Sequence, residues 1–84
     1  MADDQFDARW QEVVNLTAEE FWKHDQNPGG GVFKADRKEL KLYGILKDGS
    51  YHSEKFTPEQ IIRRDPAQIA QHFYESYRAA RDAP

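Results

Sequence analysis

The chain has 84 residues, of which 32% are charged and 13% aromatic, and its formal net charge is −3. This length predicts one small domain, 1–84, with a limited core. The absence of cysteine excludes disulfides, thiolate metal sites and a cysteine nucleophile, and it favours the cytoplasm. The acidic N-terminus lacks the apolar core of a signal peptide, and no apolar run approaches a membrane span, so we expect no membrane role.

Charge is unevenly distributed along the chain. Residues 1–30 hold seven acidic and two basic side chains, whereas residues 31–56 hold six basic and four acidic ones. The last part, 57–84, is balanced. We therefore expect an acidic N-terminal region and a weakly basic middle region. Such a separation is an ordinary solvated surface in most proteins and a binding face in some.

An amphipathic helix is predicted at the N-terminus. The apolar residues with the spacing of one helical face are Phe6, Trp10, Val13 and Val14. Local chemistry at Leu16 to Phe21 then indicates a second helix start, because Thr17 and Glu20 have the spacing of a capping box inside a hydrophobic staple. We expect two helices, at about 4–15 and 18–25, with one kinked helix as the alternative.

A glycine-rich segment, QNPGGG at 26–31, follows the predicted helices. Pro28 blocks helix propagation, and three consecutive glycines leave the backbone loose. The run lacks the Gly-Lys-Ser/Thr of a P-loop and the strand and helix context of a dinucleotide fold. We therefore expect 26–31 to be a flexible connector and not a phosphate site.

A β-hairpin is predicted between Leu40 and Phe56, because Asp48-Gly49 separates two strand-like runs. A two-residue turn pairs Leu46 with Tyr51. A three-residue loop, with Gly49 in the left-handed region, pairs Leu46 with Ser50 instead. We favour the three-residue loop because it gives the cleaner apolar face.

The favoured register assigns side chains to two faces of the hairpin. The expected core face carries Leu40, Leu42, Leu46 and Phe56, and the opposite face carries Tyr43, Ile45 and Tyr51. A two-stranded hairpin alone is marginal, so a further strand or covering helices are needed. Val32 and Phe33 are the candidates for a short third strand.

Two helix starts are predicted after the hairpin. Thr57 and Gln60 match a capping box with Pro58 at the first helical position, and Asp65 caps a final helix over about 66–81. The apolar arc of the final helix comprises Ile69, Ala70, Phe73, Tyr74, Tyr77 and Ala80. Residues 82–84 are expected to be a tail. The predicted fold is α+β, ordered α-α-β-β-α-α, with an antiparallel hairpin packed against helices.

No catalytic, metal-binding or cofactor-binding site is expected. His24, His52 and His72 lie on different predicted elements and lack ligand spacing. Ser50 and Ser53 flank His52, but no nucleophile elbow or oxyanion loop surrounds them. The sequence therefore favours a protein that is not an enzyme.

A small non-catalytic module for protein–protein interaction is the favoured function, such as an adaptor, regulator, inhibitor or assembly subunit. The alternative is nucleic-acid binding by the basic and aromatic hairpin at 33–56. The candidate partner-binding residues are Tyr43, Ile45, Tyr51, Tyr74, Arg37, Lys41 and Lys55. A homodimer through the final helix is a further candidate, with Tyr74 and Arg81 at its interface.

Overall fold

The computed structural model describes residues 2–25 and 33–82. The elements, in chain order, are α1 (Ala2–Asp25), β1 (Phe33–Asp36), β2 (Lys41–Ile45), β3 (Tyr51–Lys55), α2 (Pro58–Arg63) and α3 (Pro66–Asp82). The predicted α+β class is confirmed. The connector predicted at 26–31 lies outside the described residues, and so do residues 83–84 of the predicted tail. Asp82, which was predicted to begin that tail, is instead the last residue of α3.

The three strands form an antiparallel sheet in the order β1-β2-β3. The favoured hairpin register is confirmed, because the Leu46 amide donates to the Ser50 carbonyl at 2.7 Å and the Phe56 amide donates to the Leu40 carbonyl at 2.8 Å. Gly49 has a φ of 92°, the left-handed conformation that a three-residue loop requires. The third strand is present from Phe33, while Val32 lies outside the described part of the chain.

The N-terminal helix is continuous, so the predicted break before Thr17 is wrong. Thr17 is fully buried and its hydroxyl donates to the Val13 carbonyl at 2.6 Å, within the helix. The physical reason is the apolar stripe, which runs through Trp10, Val13 and Phe21 on one buried side of α1. A break at Thr17 would carry Phe21 away from the core, and burial of an aromatic ring outweighs the gain from a cap.

The two later helix starts are confirmed. Thr57 is the N-cap of α2, and its side chain and that of Gln60 form the reciprocal bonds of a capping box, with Pro58 at the helix start. Asp65 Oδ1 accepts a hydrogen bond from the Ala67 amide at 3.2 Å, which caps α3. Arg64, the C-cap of α2, is extended with φ −91° and ψ 152°, so the chain leaves the helical conformation before α3 begins.

Helices α1 and α3 cover one face of the sheet and enclose an aromatic core. The buried apolar residues are Trp10, Val13, Phe21, Leu40, Leu42, Phe56, Ile61, Ile69, Ala70, Phe73, Tyr74 and Tyr77. Leu46 is partly buried against this core, so the predicted apolar face of the hairpin is confirmed. Within residues 2–25 and 33–82, no helix combines the length and apolar character that a bilayer crossing needs.

Arg9 joins α1 to the end of α2. Its Nε donates to the Ile61 carbonyl at 2.9 Å and its Nη2 donates to the Arg64 carbonyl at 2.8 Å. Carbonyl groups at a helix C-terminus lack partners inside the helix, and a cation is favourable there. One side chain therefore caps α2 from a distant part of the sequence.

Candidate protein-binding surface

One face of the sheet is turned away from the helices, and we call it the outer face. Side chains alternate along each strand, so the strand register assigns to this face Lys34, Asp36, Lys41, Tyr43, Ile45, Tyr51, Ser53 and Lys55. A Cβ atom at Gly44 would meet Tyr77 of α3 and Phe21 of α1, so these helices cover the other face. Five of the seven predicted binding residues share the outer face.

Two tyrosines form the aromatic centre of the outer face. The ring centroids of Tyr43 and Tyr51 are 6.1 Å apart and the rings meet edge to face at 83°. Tyr51 is 44% exposed, while Tyr43 and Ile45 beside it are half-buried. An aromatic and aliphatic surface that stays accessible is a common feature of protein interfaces.

Lysine side chains border this aromatic centre on two sides, with Lys34 beside Tyr43 on β1 and the cross-strand neighbours Lys41 and Lys55 at one end. The Lys34 ammonium lies 5.4 Å from the Tyr51 ring centroid, in a cation–π contact. Lys41 is 3.8 Å from the Glu39 carboxylate, whereas Lys55 is exposed near the end of β3. The strands contribute three lysines and one aspartate to the outer face, so this face is cationic in a chain whose formal net charge is −3.

Arg37 was predicted to bind a partner, but the structure places it in an intramolecular contact. Its guanidinium donates two hydrogen bonds to Asp7 Oδ1, at 2.9 and 2.6 Å, and lies 4.5 Å from the Phe6 ring centroid. Both partners belong to α1. Arg37 therefore fastens the turn after β1 to the N-terminal helix, because a planar cation matches a carboxylate and an aromatic ring together.

Tyr74 was predicted to lie at a partner surface, and that placement is wrong. It is 4% exposed, with its ring centroid 5.1 Å from that of Phe21 and 5.1 Å from that of His24. The continuous α1 carries both covering residues, which explains the burial. The candidate homodimer through Tyr74 and Arg81 thereby loses Tyr74 from its interface, and self-association stays a prediction.

Two of the three histidines converge on Glu54, which sequence spacing did not predict. His52 Nε2 is 3.9 Å from Glu54 Oε1, and His72 Nε2 is 3.7 Å from Glu54 Oε2. The Ser76 hydroxyl lies 3.1 Å from His52 Nε2. In the described residues, no group of three or more His, Asp or Glu side chains has an arrangement that holds a metal ion. The absence of catalysis stays a prediction.

The turn beside Tyr51 is held by Asp48. Its Oδ1 accepts hydrogen bonds from the Ser50 hydroxyl at 2.6 Å and from the Ser50 amide at 3.0 Å. These bonds, the side-chain one foremost, lower the pKa of Asp48 from its ordinary value of 3.8. The charged form of Asp48 therefore supports the loop that fixes the position of β3.

Three outer-face residues were absent from the sequence-based set of binding residues, namely Lys34, Asp36 and Ser53, and Lys34 is the cationic one. It follows Phe33, whose side chain is on the core face, and it pairs with Tyr43 across the strands. The sequence feature that could have identified Lys34 is the alternation of Phe33, Lys34 and Ala35. Once β1 is recognised as a strand, this alternation assigns Lys34 to the outer face.

Fold and surface together define a small α+β domain with a three-stranded antiparallel meander, one face of which is cationic and aromatic. Comparisons with protein-family models, with curated proteins and with solved structures found no match to the chain. The functional argument therefore depends on the residues of this chain alone.

Proposed function

We propose that the protein is a non-catalytic interaction module whose outer face binds an acidic segment of a protein partner. The observation that carries the proposal is the exposed Tyr51, packed edge to face on Tyr43, on a face that also carries three lysines. Aromatic residues supply contact area at interfaces, and complementary charge steers and orients the partner. A cytoplasmic location, expected from the absence of cysteine, is part of the proposal.

The chemistry of the outer face defines the partner further. Tyr43, Ile45 and Tyr51 would accept an apolar or aromatic side chain, whereas Lys41 and Lys55, which are cross-strand neighbours at one end of this face, would attract carboxylates at that end. The N-terminal helix of the chain is itself acidic. An acidic partner is thus attracted to the sheet and repelled by α1, which would favour one orientation of docking.

Nucleic-acid binding is the second candidate, because tyrosines and lysines on a sheet can stack bases and neutralise phosphates. Ring geometry makes this candidate weaker. The two tyrosine rings are nearly perpendicular, so they do not present parallel platforms, and the Lys34 ammonium already occupies a position over Tyr51. The negative formal net charge of the whole chain also opposes a polyanion.

Affinity capture from the native host, with and without nuclease, tests the proposal. We expect a protein partner that survives nuclease, is lost with Tyr51→Ala and is weakened by Lys55→Ala. The matched control is Ile62→Ala, since Ile62 is a similarly exposed apolar residue, at 53%, on α2. A partner retained equally by Tyr51→Ala and Ile62→Ala would contradict the assigned surface.

The salt dependence of binding separates the two candidates. Rim lysines at a protein interface give a shallow dependence, whereas each phosphate contact lowers log affinity by about 0.7–0.9 for every tenfold rise in salt. Release of the captured partner by nuclease, together with a steep salt dependence that Lys34→Ala and Lys55→Ala each reduce, would establish the nucleic-acid candidate in place of the protein partner.

A further inference from the structure

Strand β3 has an open edge. It forms one end of the sheet, and within the described residues no strand pairs with it on the side away from β2. The backbone hydrogen bonds at Ser50 and Phe56 are directed toward β2. Backbone direction alternates along an antiparallel strand, so the amides and carbonyls of Tyr51, Ser53 and Lys55 point to the open edge.

The sequence of β3, YHSEK, is complementary to itself when reversed. Two antiparallel copies related by a two-fold axis at Ser53 would place Tyr51 opposite Lys55 of the second copy. His52 would lie opposite Glu54 of the second copy, and Ser53 would meet its own counterpart. A lysine beside a tyrosine ring and an imidazole beside a carboxylate are both favourable cross-strand neighbours, and a two-fold axis makes each contact twice.

The direction of the backbone groups agrees with this pairing. Residues that exchange hydrogen bonds across an antiparallel pair must both point to the shared edge. The two-fold axis at Ser53 pairs Tyr51 with Lys55 and Ser53 with itself, so every residue that points to the edge meets another that does. His52 and Glu54 then form a non-hydrogen-bonded pair, in which side chains approach each other more closely.

We propose that two copies of this chain associate through β3, antiparallel and centred on Ser53, to form one continuous six-stranded sheet. The axis stands perpendicular to the sheet, so both outer faces lie on the same side and join into one longer surface. Lys34, on β1, lies 5.4 Å from the Tyr51 ring centroid, and Lys55 of the second copy would meet Tyr51 across the open edge of β3. The proposal does not depend on what the outer face binds.

The inner side of the new contact is polar. Glu54 faces His52 of its own strand and His72 of α3, and His52 also contacts Ser76. In the dimer each Glu54 gains His52 of the second copy, so two carboxylates lie among four imidazoles. Five residues of strand bury little area, and the dimer should therefore be a weak one that depends on protein concentration.

Substitutions at Ser53 test the two-fold axis directly, because only there does a side chain meet itself. Ser53→Asp and Ser53→Lys each place like charges opposite one another, and each should weaken the dimer more than about tenfold. An equimolar mixture of the two variants should restore dimers, since Asp then faces Lys. Ser53 is exposed, so neither change should unfold the chain, which circular dichroism checks.

Sedimentation equilibrium from about ten micromolar to about one millimolar supplies the measurement. Ala8→Asp and Ala8→Lys, at an exposed position on α1, are the charge-matched controls and should dimerise as the wild type does. A wild type that stays monomeric over this range would overturn the proposal. So would a mixture of the Ser53 variants that fails to restore dimers, or a loss of dimer with only one sign of charge.

Discussion

The phenol ring of Tyr77 lies directly against the backbone of Gly44. A Cβ atom at position 44 would overlap Tyr77 Cδ1 and stand 2.7 Å from Tyr77 Cε1. The Tyr77 hydroxyl donates a hydrogen bond to the neighbouring Ile45 carbonyl at 2.6 Å. One aromatic side chain of α3 thus fixes both the distance between α3 and strand β2 and the position of α3 along that strand.

Gly44→Ala should therefore destabilise the protein, although alanine is usually more stabilising than glycine inside a strand. The added methyl group must displace the Tyr77 ring, and overpacking of this kind costs about 1–3 kcal/mol. Urea unfolding measures the change. Ser53→Ala, at an exposed position of β3, is the control and should lie near the wild type. A Gly44→Ala variant as stable as the wild type would show that α3 shifts freely on the sheet.

Arg9→Ala should lower the free energy of unfolding by about 1.5–3 kcal/mol, the range for hydrogen bonds to a charged group. The loss should be concentrated at the C-terminus of α2, whose Ile61 and Arg64 carbonyls Arg9 binds. Arg9→Lys should recover only part of it, because an ammonium lacks the fork that reaches two acceptors. Hydrogen exchange of the α2 amides localises the effect.

Arg78→Ala is the control for Arg9. Arg78 is exposed on α3, and its ion pair with Asp82, at 3.9 Å, is of the surface type that contributes little. Equal destabilisation by Arg9→Ala and Arg78→Ala would mean that the capping of α2 by Arg9 makes no measurable contribution to the free energy of unfolding.

The hairpin loop should be sensitive to acid through Asp48. Its pKa is lowered in the folded chain, so its contribution to stability is present above the ordinary value of 3.8 and is lost as pH falls through the lowered pKa. NMR titration of the Asp48 carboxyl should give a midpoint below 3.8. Ser50→Ala removes the largest cause and should raise the midpoint, whereas Ser53→Ala should not.

Thr17→Val should leave stability unchanged or raise it by up to about 1 kcal/mol. The buried hydroxyl bonds a carbonyl within the helix, so its replacement by a methyl group leaves no donor unsatisfied. Thr57→Val should instead lower stability by about 1–2 kcal/mol, since Thr57 is a true N-cap. Similar losses from both variants would indicate that α1 does begin anew at Thr17.

These two threonines show where prediction from sequence succeeded and where it failed. Both begin the same local pattern, and only Thr57 caps a helix. Thr57 follows a strand and precedes Pro58, so the chain must turn there. Thr17 lies on an apolar stripe that already points to the core, and burial along the stripe decided the outcome. The residues around each threonine reveal the capping chemistry. They do not reveal how much apolar surface the rest of the fold will bury.

The hairpin was more predictable because its determinants are local. Gly49 supplied the left-handed residue of the loop, and alternation of apolar side chains fixed the register. The same alternation placed Tyr43, Ile45 and Tyr51 together on the outer face. Arg37 and Tyr74 were misplaced because their partners, Asp7 and Phe21, are distant in sequence.

The hydrogen bond from Arg9 to Ile61 joins residues 52 positions apart, which affects how the chain folds. The β-sheet meander and the α2–α3 connection join segments that are neighbours in the sequence, so they close only short loops. Docking of α1 closes a much longer one and carries the larger entropic cost. Helix α1 is then the element expected to attach late and to detach first. Each detachment would expose Phe73 and Tyr74 and make the chain susceptible to proteolysis and aggregation.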